Sequence, residues 1–216
     1  MKVYELNWEF DHLLDMDEDC SVIPFEGLDD FRFQMSGLDV FTLKNEIILQ
    51  GNFNVIPKNT DYPIVDIALP LMSKKMVLLI EHHNQVKINK VDTTIIDDTF
   101  LGVIFDKEGN LNSNIKKNND YQFVQVLEYI KAFDYDSSIF KPLRSNPEKI
   151  GIINKLVLKE PIHGFPSIFR IAEKPSMLFV SDFTKKSLES NGIKGCVFNE
   201  VLVSKGLSES PDFEED

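Results

Sequence analysis

The sequence predicts an α+β fold built from mixed, largely antiparallel sheets with a few short helices. Short alternating or β-branched runs recur along the chain, separated by glycine, proline and asparagine. Only two stretches carry a serine N-cap ahead of helical periodicity. With 216 residues, 43% of them apolar, the chain is long enough to bury a sizeable core, as one large domain or two small lobes.

The elements follow in order. Residues 2–8 alternate apolar and polar and read as a half-buried strand, and 15–19 is an acidic turn. Phe31-Arg32-Phe33, Val40-Phe41-Thr42-Leu43 and Ile47-Ile48-Leu49 are short strand candidates, with Gly37 and Gly51 as punctuation. Residues 52–63 read as loop. Ser73 follows Leu71-Met72 and caps a helix over 74–83, in which Met76, Leu79 and Ile80 form the apolar stripe. Residues 86–91 alternate as a strand, and 100–105 is a second apolar run. The asparagine-rich stretch 107–120 is a linker or long hairpin loop. Helix is allowed by propensity over 121–133, but its aromatic and β-branched content favours strand. Residues 156–158 and 168–171 read as strands. Ser181 caps a helix to about residue 190, Asn191-Gly192 ends it, and 196–201 is a closing strand.

This divides the chain into an N-terminal α+β lobe (1–106), the linker or loop (107–120), a C-terminal α+β lobe (121–205) and an acidic, disordered tail (206–216). Leu71-Met72-Ser73, a helix and residues 86–91 repeat the order Phe179-Val180-Ser181, a helix and residues 196–201. Ile80-Glu81 then corresponds to Leu188-Glu189. Two readings are open: any strand–serine–helix–strand unit looks like this, or the lobes are related repeats.

Lys plus Arg number 23 and Asp plus Glu 35, for a net charge of −12. Such a surface repels phosphate backbones and anionic lipid, so nucleic-acid and membrane partners are disfavoured. A basic protein would be steered toward it. Cys20 and Cys196 form no close-spaced pair and suggest no disulfide framework. No apolar h-region opens the chain and no run approaches a membrane span, so cytoplasmic residence is the expectation.

Chemical motifs are sparse. Asp15, Asp17, Asp19 and Glu26 have the spacing of calcium-loop ligands, but Cys20 stands where that loop turns on glycine, and Pro24 breaks the exit helix. His82 and His83, adjacent on a helix, point about 100° apart and do not chelate one metal readily. A helix C-terminus favours histidine in any case. His163 lies in a turn between Pro161 and Pro166, and nothing local pairs it with Cys196. The pairs Asp97-Asp98 and Asp134/Asp136 lack an acid–base partner, and phosphate-loop, zinc and nucleophile-elbow patterns are not found. No cofactor or metal is called for.

The C-terminal third carries a resemblance. Ala132-Phe133-Asp134-Tyr135-Asp136-Ser137-Ser138 looks like an Ala-x-Asp-x-x-x-Ser element. Phe169-Arg170 matches a Phe-Arg strand, and Val180-Ser181 with Gly192-x-x-Gly195-x-x-Phe198 matches a closing unit. Together, over about residues 121–201, they resemble immunity protein family 11 of bacterial polymorphic toxin systems. The resemblance implies a non-catalytic protein that binds and neutralises a cognate toxin, itself basic if charge complementarity governs. In this reading Asp134, Ser137, Phe169, Ser181, Gly192, Gly195 and Phe198 specify the fold, and no catalytic residue carries over. The acidic turn Asp15, Asp17, Glu18 and Asp19 becomes the candidate partner-binding patch. The competing readings are an uncharacterised enzyme with an inter-lobe pocket, marked by His163, Cys196 or paired aspartates around it, and a structural or adaptor module.

Overall fold

The computed structural model describes residues 1–11, 18–40, 46–54, 56, 58–82 and 86–205. It is a sheet-dominated α+β fold, 13% helix and 42% strand. The first part of the chain gives β1 (Val3–Trp8), β2 (Cys20–Val22), α1 (Leu28–Met35), β3 (Ile47–Gly51), β4 (Leu71–Ser73), α2 (Lys74–Glu81) and β5 (Ile88–Asp97). The second gives β6 (Lys117–Asn118), β7 (Tyr121–Val126), β8 (Tyr129–Ile130), β9 (Ile139–Leu143), β10 (Asn146–Lys155) and β11 (Val157–Lys159). It closes with β12 (Ile168–Ile171), β13 (Lys174–Ser181), α3 (Asp182–Ser190) and β14 (Cys196–Ser204). No helix among the described residues is long and apolar enough to cross a membrane.

Two main sheets form, in the orders β2-β3-β5-β7-β4 and β11-β14-β1-β13-β12-β8, beside a separate β9-β10 ribbon. The first strand, β1, lies in the second sheet, and β7, beyond the asparagine-rich stretch, lies in the first. Residues 107–120 therefore do not separate the strands of one sheet from those of the other.

The two sheets are built alike. β7 lies antiparallel between β4 and β5, and β1 lies antiparallel between β13 and β14. Ser73 pairs with Tyr121, the first residue of β7, as Ser181 pairs with Val3, the first of β1. Asp92 faces Gln122 as Glu200 faces Tyr4, and Ile88 faces Val126 as Cys196 faces Trp8. The residue after each capping serine bonds back to the residue before the inserted strand: Lys74 N–H to the Asp120 carbonyl, and Asp182 N–H to the Lys2 carbonyl. Parallel β3 beside β5 corresponds to parallel β11 beside β14. The echo between residues 71–91 and 179–201 thus extends to matched strand registers, with β1 inserted in the second sheet as β7 is in the first.

Both helices start as their sequences dictate. Ser73 Oγ accepts from Met76 N–H at 3.1 Å, and Ser181 Oγ from Thr184 N–H at 3.3 Å. The helices bury Met76, Val77 and Ile80, and Leu188, in a central core shared with Tyr4 and Leu6 of β1 and Val124 and Val126 of β7. A second core, around Phe31, Leu49 and Phe123, fills the other face of the first sheet. A third, around Phe169, Phe179 and Leu158, fills the other face of the second.

Some expectations change. Phe31-Arg32-Phe33 is helix, not strand: Phe31 and Met35 are buried one turn apart in α1, while Phe33 faces out. Val40 is not in a strand, and residues 41–43 lie outside the described residues, as does the tail from 206. Among the described residues the 100–105 run makes one bridge, Phe105 to Leu111. Asparagine and aspartate side chains organise 106–120 into turns. Asp106 accepts from the Glu108 and Asn110 amides, Asn112 from Asn114, and Asn118 from Asp120.

Candidate functional site

The described part of the sequence-derived patch, Glu18 and Asp19, leads into β2 at the edge of the first sheet. Asp15 and Asp17 lie outside the described residues. Glu18 is half-buried. Asp19 is not a surface residue: it is 5% exposed, and its Oδ2 accepts from Ile64 N–H at 2.8 Å. The structure therefore corrects its assignment to a contact surface. Its carboxylate ties β2 to the 60–66 loop, where Asp66 Oδ1 likewise accepts from Val22 N–H.

What the fold adds to Glu18 comes from the end of β5. Glu18, Asp19, Ser21, Gln50 and Asp98 line a small depression of about 80 Å³, too small for an organic ligand. Asp98 is exposed and held by its N–H to the Gly51 carbonyl at 3.1 Å. Burial and the charge of Asp97 raise its carboxyl above the ordinary range. Asp97 goes the other way, lowered chiefly by the Thr99 hydroxyl at 2.6 Å and amide at 3.0 Å. Three residues past Asp98, Leu101 is fully exposed, and Val103 is 74% exposed. Asn112 fixes this apolar segment, donating to the Val103 and Ile104 carbonyls through its side chain and backbone. The acidic pair Asp97-Asp98 and the 100–105 run were each visible in the sequence. The place of Asp98 beside Glu18 was not, because it depends on β3 pairing parallel to β5.

The suspected chemical groups stay apart. Cys20 is buried, and burial, with Asp19, Asp66 and Asp98 nearby, pushes its thiol well up, which makes it a poor nucleophile. Burial also raises Cys196, and no hydrogen bond or ion pair joins it to His163 among the described residues. His82 caps the α2 C-terminus through its backbone, and His83 is outside the described residues. No group of three or more His, Cys, Asp or Glu suited to a metal occurs among the described residues.

The residues assigned to the fold occupy distinct structural positions. Asp134 Oδ1 accepts from the Asp136 and Ser137 amides, and its Oδ2 from Ser204 Oγ at 2.5 Å. Ser204 first, then these amides, lower its pKa. Ser137 bonds through its backbone; the neighbouring Ser138 hydroxyl bridges the Val157 amide and carbonyl. Phe169 is fully buried, stacked between Phe165 and Phe179 at 5.4 Å from each. Ser181 is the α3 cap. Gly192 and Gly195 take φ of +66° and +80°. Phe198 is half-buried under Lys185, whose Nζ lies 5.6 Å from the ring centroid.

The family model of the immunity protein family Imm11 matches residues 110–203, which is the resemblance seen in the sequence. No curated protein matches the chain. The matched segment contains β7, which completes the first sheet, and omits β1, which its own sheet requires.

Proposed function

We propose that this chain is a toxin-immunity protein that acts by binding: it covers a cognate bacterial toxin in the cytoplasm and performs no turnover. The observation that carries the reading is the Imm11 match over residues 110–203. The net charge of −12 supports a basic partner rather than nucleic acid or an anionic membrane. The docking face is the β2 edge, where Glu18 and Asp98 line one acidic depression and the chain runs on from Asp98 to the exposed Leu101 and Val103. Asp15 and Asp17 add charge a few residues before Glu18 in the chain. Apolar contacts at the centre and charges at the rim are the usual division of labour in an interface, with rim charges acting mainly on association rate. A stable complex of this kind buries about 1,200–2,000 Å² in total.

The test is a pull-down of the tagged chain from its native bacterium at low and high salt, repeated with Glu18→Gln/Asp98→Asn. One toxin co-purifying stoichiometrically, with capture reduced by salt and by the double variant, is the expected result. Absence of any partner from cells that express the neighbouring toxin genes would sink the reading. Undiminished capture by the double variant would move the face elsewhere.

A further inference from the structure

β1 and β13 pair only from Val3–Ser181 to Glu5–Phe179, although β1 runs on to Trp8 and β13 begins at Lys174. Past Glu5 the strands fork. On its other side β13 also leaves regular pairing: Phe169 faces Phe179 but Ile171 faces Lys174, so residues 175–178 bow away from β12 opposite Arg170. The fork holds a cavity of about 300 Å³, at the lower end of the range for small-molecule sites.

Its walls are chemically unusual. Arg170 is 8% exposed, and among the described residues no carboxylate lies within ion-pair distance of it. One guanidinium nitrogen, Nη1, donates to the Pro175 carbonyl at 2.6 Å, while Nε has no partner. An unpaired buried guanidinium is costly, and proteins normally match it with an acid. Trp8, stacked on Tyr62 at 5.5 Å, lines the same cavity, and its buried Nε1–H also lacks an acceptor. Of the three orphaned buried side-chain polar atoms among the described residues, these two donors belong to residues that line one cavity. Ala68, which also lines the cavity, holds φ at +54°, a strained value for a residue with a Cβ.

The register match between the halves indicates what the fork holds. Asn7 stands on β1 where Gln125 stands on β7. Gln125 is fully buried, and its Nε2 donates to three backbone carbonyls, those of Gln34, Gly37 and Asp39. In that half, a stretch of polypeptide fills the place beside the inserted strand. In the other half, Asn7 lines the cavity with no side-chain hydrogen bond among the described residues. Glu5 on the same wall is an acceptor suited to an amide N–H.

We infer that this fork is a binding site for a carboxylate carried next to a peptide amide, with Arg170 and Trp8 as donors to the acid and Asn7 and Glu5 as partners of the amide. The inference does not depend on the immunity reading, since no residue lines both this cavity and the depression at Glu18 and Asp98. The source that offers this chemistry is an acidic residue of a polypeptide, in which the carboxylate and the amide are held together.

Trp8 is the single tryptophan of the chain, so its emission reports occupancy directly. The full-length protein is titrated with N-acetyl-glutamate α-amide, its neutral glutamine isostere, and glutarate. A saturable change with the glutamate compound, weakened about tenfold or more in the glutamine isostere, is expected for a charge-assisted contact. Weaker binding of glutarate is expected, because it lacks the amide; equal or tighter binding would remove Asn7 and Glu5 as amide partners and overturn the inference. Arg170→Gln should abolish the response. Because Arg170 also braces Pro175, Asn7→Leu is the second variant, expected to keep the thermal transition and lose the preference for the amide compound over glutarate. No saturable response to either acid, equal response to the glutamate and glutamine compounds, or an unchanged response in folded Arg170→Gln would each overturn the inference.

Discussion

Gly192 and Gly195 both stand at positive φ, yet different constraints hold them. A Cβ on Gly192 would meet nothing within 4 Å, whereas one on Gly195 would lie 2.0 Å from Thr60 Oγ1 and 2.9 Å from Thr60 Cβ. Gly192→Ala should therefore cost about 1 kcal/mol, the backbone conformation alone. Gly195→Ala should cost on the order of 3 kcal/mol, because Thr60 is fully buried and must also move. Urea unfolding of the two variants checks this; equal losses would remove Thr60 from the account. Asp98 poses a question of sign. Its folded pKa is raised, so its favourable contribution is present below the unfolded carboxylate value and lost as pH rises through the folded one. Once ionised, it opposes folding. Asp98→Asn is expected to raise Tm at pH 7, to lose that advantage below about pH 4, and still to weaken capture of a basic partner. Asp97, lowered by Thr99, has the opposite sign: its contribution is present above about pH 4 and lost as pH falls through its lowered value. A lower Tm for Asp98→Asn at neutral pH would show that Asp98 supports the fold rather than the partner.

At the scale of elements, the two serine caps look alike in sequence but differ in what they hold. Among the described residues, Ser181 Oγ bonds only within its own first turn, to Thr184. Ser73 Oγ also donates to Asp61 Oδ1 at 2.7 Å, and Asp61 Oδ2 accepts the Lys194 amide that precedes β14. Ser181→Ala should cost about 1 kcal/mol, and Ser73→Ala roughly 2 kcal/mol, because it releases a link between the two halves as well as a cap. Thermal denaturation ranks them; the reverse order would show Asp61 to be independent of Ser73. The caps were legible because a serine before an apolar helical stripe is a local signal. Helix α1 was not, since Phe31-Arg32-Phe33 alternates over only three residues, and its true partner, Met35, lies a turn away. The β9-β10 ribbon escaped for another reason. Pro142 and Pro147 demote the run, and most of its residues are exposed, so no buried face imposes alternation. Arg170 was legible only as part of the Phe169-Arg170 strand that carries the resemblance. Its significance depends on the fork beside it, which only long-range pairing creates.

For the whole molecule, the reciprocal exchange of β1 and β7 decides how the halves depend on each other. Residues 1–106 contain β4, α2 and β5 but not the strand that belongs between β4 and β5. Residues 107–216 contain β13, α3 and β14 but lack β1. Each half alone would keep a gap in the middle of its sheet and carry one strand with nowhere to pair. The gap leaves a row of backbone donors and acceptors unmatched, and the central core loses Val124 and Val126, or Tyr4 and Leu6. Neither fragment is therefore expected to show a cooperative thermal transition by itself. Refolded together, they should form a one-to-one complex with the circular dichroism of the intact chain, since all the native pairings are then available. The same dependence joins the acidic rim at Asp98 to the family-matched segment, because β5, which leads to Asp98, is flanked by β7. The test is co-refolding of the two fragments followed by size-exclusion chromatography and a thermal melt of each sample. A cooperative melt of either fragment alone would mean that its sheet closes without the exchanged strand. Failure of the mixture to associate would mean that the connection through 107–120, rather than strand exchange, holds the halves in register.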